Sequence, residues 1–190
     1  MLLLISGSLR RGSLNTKLVL EAGRIWGGET IQADLNLPLY NGDYEAESGI
    51  PRVTQELADQ ISGASAVAIS TPEYNQSTSG VLQNALDWVS RVEGKPWANK
   101  PVAIMSAAAG RSGGARAQYA LRLAMNSAQP QMLTGPEVLV AGAEKEFDEN
   151  GRLTSEAYIK SLTTLMEKLC LLYTSPSPRD LSTSRMPSSA

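Results

Sequence analysis

Short continuous apolar runs alternate along this chain with longer stretches in which apolar residues return every three or four positions. Leu2-Leu3-Leu4-Ile5, Ala66-Val67-Ala68-Ile69-Ser70 and the run from Pro101 to Ser106 are of the first kind. Such runs suit strands buried on both faces of a parallel sheet. Thr30 to Leu35, and a segment over 132–141 centred on Val138-Leu139-Val140, complete five predicted strands. Between them, Leu14, Leu18, Ala22 and Ile25 predict a helix over 14–26, which Gly27-Gly28 stop. Val53, Leu57 and Ile61 predict a helix over 52–63, and Val81, Leu82, Ala85, Leu86 and Val89 one over 79–91. A Gly-rich loop at 110–114 opens a further helix that includes Leu121 and Ala124. Ile159, Leu162, Leu165, Met166 and Leu169 predict a last helix over 154–169. Residues 36–51 contain Pro38, Asn41, Gly42, Gly49 and Pro51 and read as a surface loop.

Strictly alternating strands and helices predict an α/β fold, a doubly wound five-stranded parallel sheet with helices on both faces. In such sheets ligands sit at the carboxyl ends of the strands, near the point where strand order reverses. Three polar loops follow strand ends here, at 7–16, 71–79 and 106–114. With the strand order 2-1-3-4-5, strands one, three and four are neighbours and their loops converge on one site.

The first of these loops, Gly7-Ser8-Leu9-Arg10-Arg11-Gly12-Ser13-Leu14-Asn15-Thr16, joins a strand to a helix. Backbone N–H groups at a helix N-terminus favour an anion. Ser8, Ser13, Asn15 and Thr16 add side-chain donors, and Arg10 adds a fixed positive charge. The loop has neither the Gly-Lys-Ser/Thr ending of a P-loop nor the glycine spacing that admits a pyrophosphate. A single terminal phosphate, as on a mononucleotide such as FMN, fits better than either. The plain alternative is a polar strand–helix turn without a ligand.

Composition narrows the chemistry. The chain has 190 residues, 42% hydrophobic and 19% charged, with a net charge of −2, which predicts one globular domain. No basic stripe extends beyond Arg10 and Arg11, so nucleic acid is not an expected partner. No apolar run approaches the roughly 20 residues that span a membrane. Met1 leads straight into the first strand without a signal-like segment, and the cytoplasm is the expected compartment. There is no histidine, which removes Ser-His-Asp and Cys-His catalysis and most zinc sites. The single cysteine, Cys170, allows neither an internal disulfide nor a cysteine-ligated cluster. Difficult chemistry in such a chain comes from an organic cofactor.

The domain is expected to span 1–172. Tyr173 to Ala190 is rich in Ser, Pro and Thr without periodicity and reads as a disordered tail. Its run Tyr173-Thr174-Ser175-Pro176-Ser177-Pro178-Arg179-Asp180 has the look of a translated sequencing-adapter read-through, foreign to the natural chain.

Three motifs together resemble the NADPH-dependent FMN reductase family, the flavodoxin-like group that includes chromate, quinone and azo-dye reductases. G-S-x-R-x-x-S-x-N stands as Gly7, Ser8, Arg10, Ser13 and Asn15. T-P-E-Y-N stands as Thr71-Pro72-Glu73-Tyr74-Asn75 and continues into Gly80, Leu82, Asn84, Ala85, Asp87 and Trp88. G-x-x-G-G-x-R stands as Gly110, Gly113, Gly114 and Arg116. The likeness runs from Met1 to about Leu169. It implies that Ser8, Leu9, Arg10, Ser13, Asn15 and Thr16 hold the FMN phosphate. It implies that Pro72, Glu73, Tyr74 and Asn75 line the isoalloxazine ring. It implies that Ser106, Ala107, Ala108, Gly110 and Gly113 meet the ring's pyrimidine edge through backbone N–H groups.

The implied activity is an NAD(P)H oxidoreductase working through FMN in ping-pong order. NADPH or NADH gives a hydride and leaves, and a small-molecule electron acceptor takes its place. Quinones, azo compounds, nitroaromatics, chromate and free flavin are the acceptors the resemblance implies, and no protein acid or base is required. A non-enzymatic flavodoxin-type electron carrier and an FMN-binding regulatory module are the alternatives. A homodimer or homotetramer is expected, with Trp88, Trp97 and the 76–91 helix as interface candidates, although core packing explains them nearly as well.

The chain departs from the family pattern at Ala107 and Ala108, where serines are common, so that loop is expected to work through its backbone. Gln76, Thr78 and Ser79 alter the pocket wall, and Gln83 stands where lysine is frequent. Single residues also have plainer readings. Tyr74 can pack on the sheet edge, Asn75 can serve turn geometry, and Asp87 can be a solvated or capping residue. Arg116 can be a structural ion-pair partner, and Gly113-Gly114 an ordinary turn.

Overall fold

The computed structural model describes residues 1–174. Its sheet is wholly parallel, in the order β2 (Thr30–Gln32), β1 (Leu2–Ser6), β3 (Ala66–Thr71), β4 (Pro101–Ala107), β5 (Gln131–Met132), as the alternation predicts. β1, β3 and β4 form the centre. Leu2, Leu3, Leu4 and Ile5 are each at most 2% exposed. Full burial of such side chains contributes about 1.5–3 kcal/mol each. Their alternation divides the core. Leu2 and Leu4 face α1 (Leu14–Trp26) and α6 (Glu156–Thr174), packing with Leu18, Leu162, Leu165 and Leu169. Leu3 and Ile5 face α3 (Arg52–Gly63), α4 (Gly80–Val89) and α5 (Ala115–Met125), packing with Leu57, Ile61, Leu82 and Leu121. Both faces of the sheet are thus covered, which is why its central strands read as unbroken apolar runs.

Helix ends follow local chemistry. Ser13 caps α1, its hydroxyl accepting from the Thr16 N–H at 3.1 Å, and Gly27 closes the helix at φ 71°. Ser79 caps α4 in the same manner.

Four expectations need correction. The second strand, β2 (Thr30–Gln32), is shorter than 30–35. The Asp34 carboxylate accepts from the Asn36 N–H at 2.9 Å and turns the chain away from the sheet. The predicted strand over 132–141 is two pieces, β5 (Gln131–Met132) and β6 (Val138–Val140), both paired with β4. Pro136 lies in the gap and has no N–H for a ladder. The loop 36–51 contains a helix, α2 (Gly42–Ser48), capped by Asn41. Tertiary contacts hold it. Tyr40 and Tyr44 pack edge-on against the Trp88 ring, Arg91 Nε donates to both Glu45 oxygens at 3.0 Å, and the Tyr40 hydroxyl donates to Glu45, which pushes its pKa up. Finally, α6 runs past 169 to Thr174, so Tyr173 and Thr174 are helical. The rest of the expected tail, 175–190, lies outside the described residues.

The two tryptophans named as interface candidates sit inside the protomer. Trp88 is fully buried, its Nε1 donating to the Pro38 carbonyl at 2.7 Å, and Trp97 is 6% exposed. Neither leaves much surface for a partner. No helix among the described residues is long and apolar enough to cross a membrane.

Candidate functional site

The loops after β1, β3 and β4 meet at the carboxyl edge of the sheet. They surround a cleft of about 220 Å³ lined by Ser8, Arg10, Ser13, Leu14, Asn15, Pro72, Glu73, Tyr74, Ala107, Ala108, Ala109 and Glu144. Larger hollows of about 520 and 410 Å³ lie elsewhere, around Glu45 and Arg91 and around Trp97 and Gln129. Neither lies at the switch point of the strand order, where parallel sheets bind ligands.

On one wall the β1–α1 loop presents donors. The Ser13 hydroxyl accepts from Thr16 and keeps its own proton available, and the Ser8 hydroxyl accepts from the Arg10 N–H at 3.3 Å and does likewise. Leu14 and Asn15 open α1, where N–H groups have no carbonyl one turn back within the helix. Arg10 is exposed and has no ion pair among the described residues. Two hydroxyls, a guanidinium and a helix N-terminus make a donor set suited to a phosphate.

Asn15 departs from the expected role. Its Nδ2 donates to the Ala107 carbonyl at 2.9 Å, while its Oδ1 accepts from the Ala107 N–H at 3.0 Å and from Ser70 Oγ at 2.8 Å. The side chain lines the cleft but is committed to the sheet edge. Thr16 likewise pairs with Ser6 Oγ at 2.8 Å and lies off the cleft.

The β3 loop is held by a two-residue turn. Tyr74 and Ser77 exchange N–H···O bonds of 3.1 and 3.0 Å around Asn75 (φ 50°) and Gln76 (φ 61°). Two positive φ angles are the signature of a type I′ turn. Asn75 tolerates this conformation, but Gln76 adopts it at a cost. Asn75 therefore serves the turn and is not among the residues lining the cleft, whereas Tyr74, about half exposed, stands at the rim. The Glu73 carboxylate accepts from the Arg116 N–H at 3.1 Å and caps α5, whose N-cap residue Gly114 has no side chain. Arg116 thus engages through its backbone, and no ion pair of its side chain occurs among the described residues.

The β4 loop corrects a further expectation. The Ala107 and Ala108 N–H groups donate to Asn15 and to the Val140 carbonyl, so neither is open to a ligand. Ser106 is fully buried, its hydroxyl donating to the Gly113 carbonyl at 2.6 Å and accepting from Gln118 Nε2 at 2.9 Å. Gly113 packs on β6: a Cβ there would stand 2.6 Å from the Leu139 carbonyl carbon, at φ 58°. Ser106 and Gly113 shape the loop from behind, and Leu9 and Gly110 are exposed and outside the lining set.

Sequence reasoning missed Leu14, Ala109 and Glu144. Glu144 sits on a 3-10 turn, Ala143–Lys145, just after β6. Its only signal was a place beyond the carboxyl end of the last strand.

Comparison with known proteins agrees with this architecture. The sequence profile of NADPH-dependent FMN reductase matches residues 1–145. An NAD(P)H-dependent FMN reductase of Pseudomonas aeruginosa is 45% identical over 155 residues, covering 80% of this chain and 83% of the relative. A quinone reductase of Escherichia coli is 35% identical over 162 residues, covering 83% and 86%. The solved structure of a flavoenzyme NAD(P)H:(acceptor) oxidoreductase from Paracoccus denitrificans superposes with a TM-score of 0.81 at 31% identity, covering 90% of this chain and 96% of the other.

Proposed function

The chain belongs to the NADPH-dependent FMN reductase family, and we propose that the cleft between the β1, β3 and β4 loops is where it binds FMN and where NAD(P)H and an electron acceptor are brought together. It is an NAD(P)H-dependent oxidoreductase of the FMN-reductase and quinone-reductase kind. The single observation that carries the placement is the donor wall formed by Ser8, Arg10, Ser13 and the start of α1. It matches a terminal phosphate in both charge and hydrogen-bonding capacity.

FMN, when bound, supplies the ability to take a hydride from NAD(P)H and pass electrons to an acceptor. The protein's part is binding and orientation. Ser8, Ser13 and Arg10 hold the phosphate end. Pro72, Glu73 and Tyr74 line the cleft from the β3 loop, and Ala107, Ala108 and Ala109 give it an apolar lining from the β4 loop. Only the backbone beyond Ala108 remains to offer N–H donors on that side. Glu73 and Glu144 are the carboxylates that line the cleft, and glutamates at a cleft rim are not needed to deliver a proton to a quinone oxygen in water.

The overall reaction balances as NAD(P)H, a proton and a quinone giving NAD(P)+ and a hydroquinone. Donor and acceptor are proposed to use the same exposed flavin face in turn, hence ping-pong kinetics. Azo compounds, nitroaromatics, chromate and free flavin belong to the proposed acceptor range. We place the enzyme in the cytoplasm and expect a homodimer or homotetramer, which sedimentation of the flavin-loaded protein measures. Anaerobic titration of the FMN-loaded protein with NADPH and with NADH tests the core proposal, with bleaching of the flavin band expected. A protein that takes up no FMN, or whose bound flavin neither cofactor bleaches, overturns it.

A further inference from the structure

Glu144 enters the cleft wall from a segment that carries none of the three motifs. The backbone leading into it is fixed by two hydrogen bonds to the β4 loop. The Ala143 N–H donates to the Ala108 carbonyl at 3.1 Å, and the Ala108 N–H donates to the Val140 carbonyl at 3.0 Å. Ala143 itself is fully buried. The 3-10 turn is therefore clamped onto the β4 loop, and residue 144 is presented at the rim as part of a stiff wall.

The charges around the cleft are unequal in their commitments. Glu73 is engaged by the Arg116 N–H at the start of α5. Arg10 stands among the phosphate-directed donors of the β1 loop. The Glu144 side chain is exposed and has neither an ion pair nor a hydrogen bond among the described residues. A molecule entering the cleft thus meets a carboxylate that has no ion-pair partner among the described residues. Like charges a few ångströms apart repel even in water, and a specificity device often works by such repulsion.

Resting on the placement of the reaction in this cleft, we infer that Glu144 determines acceptor specificity by charge: it selects neutral acceptors, quinones above all, against anionic ones. Its carboxylate neither touches the transferred electrons nor supplies a proton. It raises the barrier to approach for an acceptor bearing a sulfonate or another negative charge, which puts chromate at the disfavoured end of the proposed acceptor range.

The test uses the full, FMN-loaded chain with saturating NADPH and a matched pair of acceptors, a naphthoquinone with and without a ring sulfonate. The readout is the ratio of kcat/KM for the sulfonated quinone to that for the neutral one. Glu144→Gln is expected to raise this ratio about three- to tenfold, and Glu144→Lys to raise it further. Comparing ratios between variants cancels the difference in reduction potential between the two quinones. In the unaltered protein, raising salt from about 0.02 to 0.5 M is expected to raise the same ratio through screening. A ratio unchanged within twofold in both variants, or insensitive to salt, overturns the inference. Absence of NADPH-dependent reduction of either quinone overturns instead the placement on which it rests.

Discussion

The side-chain amide of Asn15 forms a two-bond pairing with the backbone of Ala107, Nδ2 to the carbonyl at 2.9 Å and the N–H to Oδ1 at 3.0 Å. Asn15 opens α1, just after β1, and Ala107 ends β4, while β3 lies between β1 and β4 in the sheet. The pairing therefore reaches across the end of β3, whose Ser70 hydroxyl joins the same Oδ1 at 2.8 Å. One buried amide fixes how far apart the first and third loops of the cleft stand.

Asn15→Leu removes both partners of a buried backbone pair and should cost about 2–6 kcal/mol, since each orphaned group costs roughly 1–3. Urea unfolding of the apoprotein measures this. FMN affinity should fall together with stability, because the phosphate loop and the β4 loop lose their common anchor. A variant as stable as the parent contradicts the anchoring role.

Arg10→Ala separates binding from folding. The side chain is exposed and unpaired among the described residues, so stability should stay within about 0.5 kcal/mol. FMN should bind about 10- to 100-fold more weakly, the range for one charge-assisted hydrogen bond. Fluorescence titration of FMN, repeated with riboflavin, checks the cause. Riboflavin lacks the phosphate, and its affinity should not change.

Gly7→Ala and Gly113→Ala should differ in severity. At Gly7 a Cβ would meet Leu82 Cδ1 at 2.5 Å and Pro72 Cδ at 2.9 Å. The leucine can turn aside, at about 1–3 kcal/mol. At Gly113 the clash is with the Leu139 backbone and φ is 58°, so overlap that cannot relax adds to roughly 1–2 kcal/mol of left-handed strain. Thermal unfolding should rank Gly113→Ala below Gly7→Ala. The reverse order would show that the β4 loop yields more readily than the core beside α4.

Gln76→Gly should stabilise the apoprotein by about 0.5–1 kcal/mol. Asn-Gly is the preferred pair for a type I′ turn, and Gln76 now occupies the second positive-φ position. A loss of stability on chemical denaturation would mean that the Gln76 side chain contributes contacts outweighing its backbone strain.

The sequence by itself determined the sheet. Unbroken apolar runs at 2–5, 66–70 and 101–106, separated by helical periodicities, allow few arrangements other than a parallel sheet covered on both faces. The same spacing put three polar loops at adjacent strand ends. Its motifs named Ser8, Arg10, Ser13, Pro72, Glu73 and Tyr74, and the loop after β4 added Ala107 and Ala108, all of which line the cleft. Tertiary structure decided which polar groups stay available. Asn15, Thr16 and Ser106 carry donors and acceptors just as Ser8 does, but packing brings buried partners within reach of the first three. Whether a hydrogen-bonding group faces its own protein or a ligand depends on neighbours distant in the chain, as Asn15 and Ala107 show. The same holds for α2, which the Trp88 ring and Arg91 support against a weak local pattern. It holds too for Glu144, placed at the rim by a strand pairing that no local motif encodes.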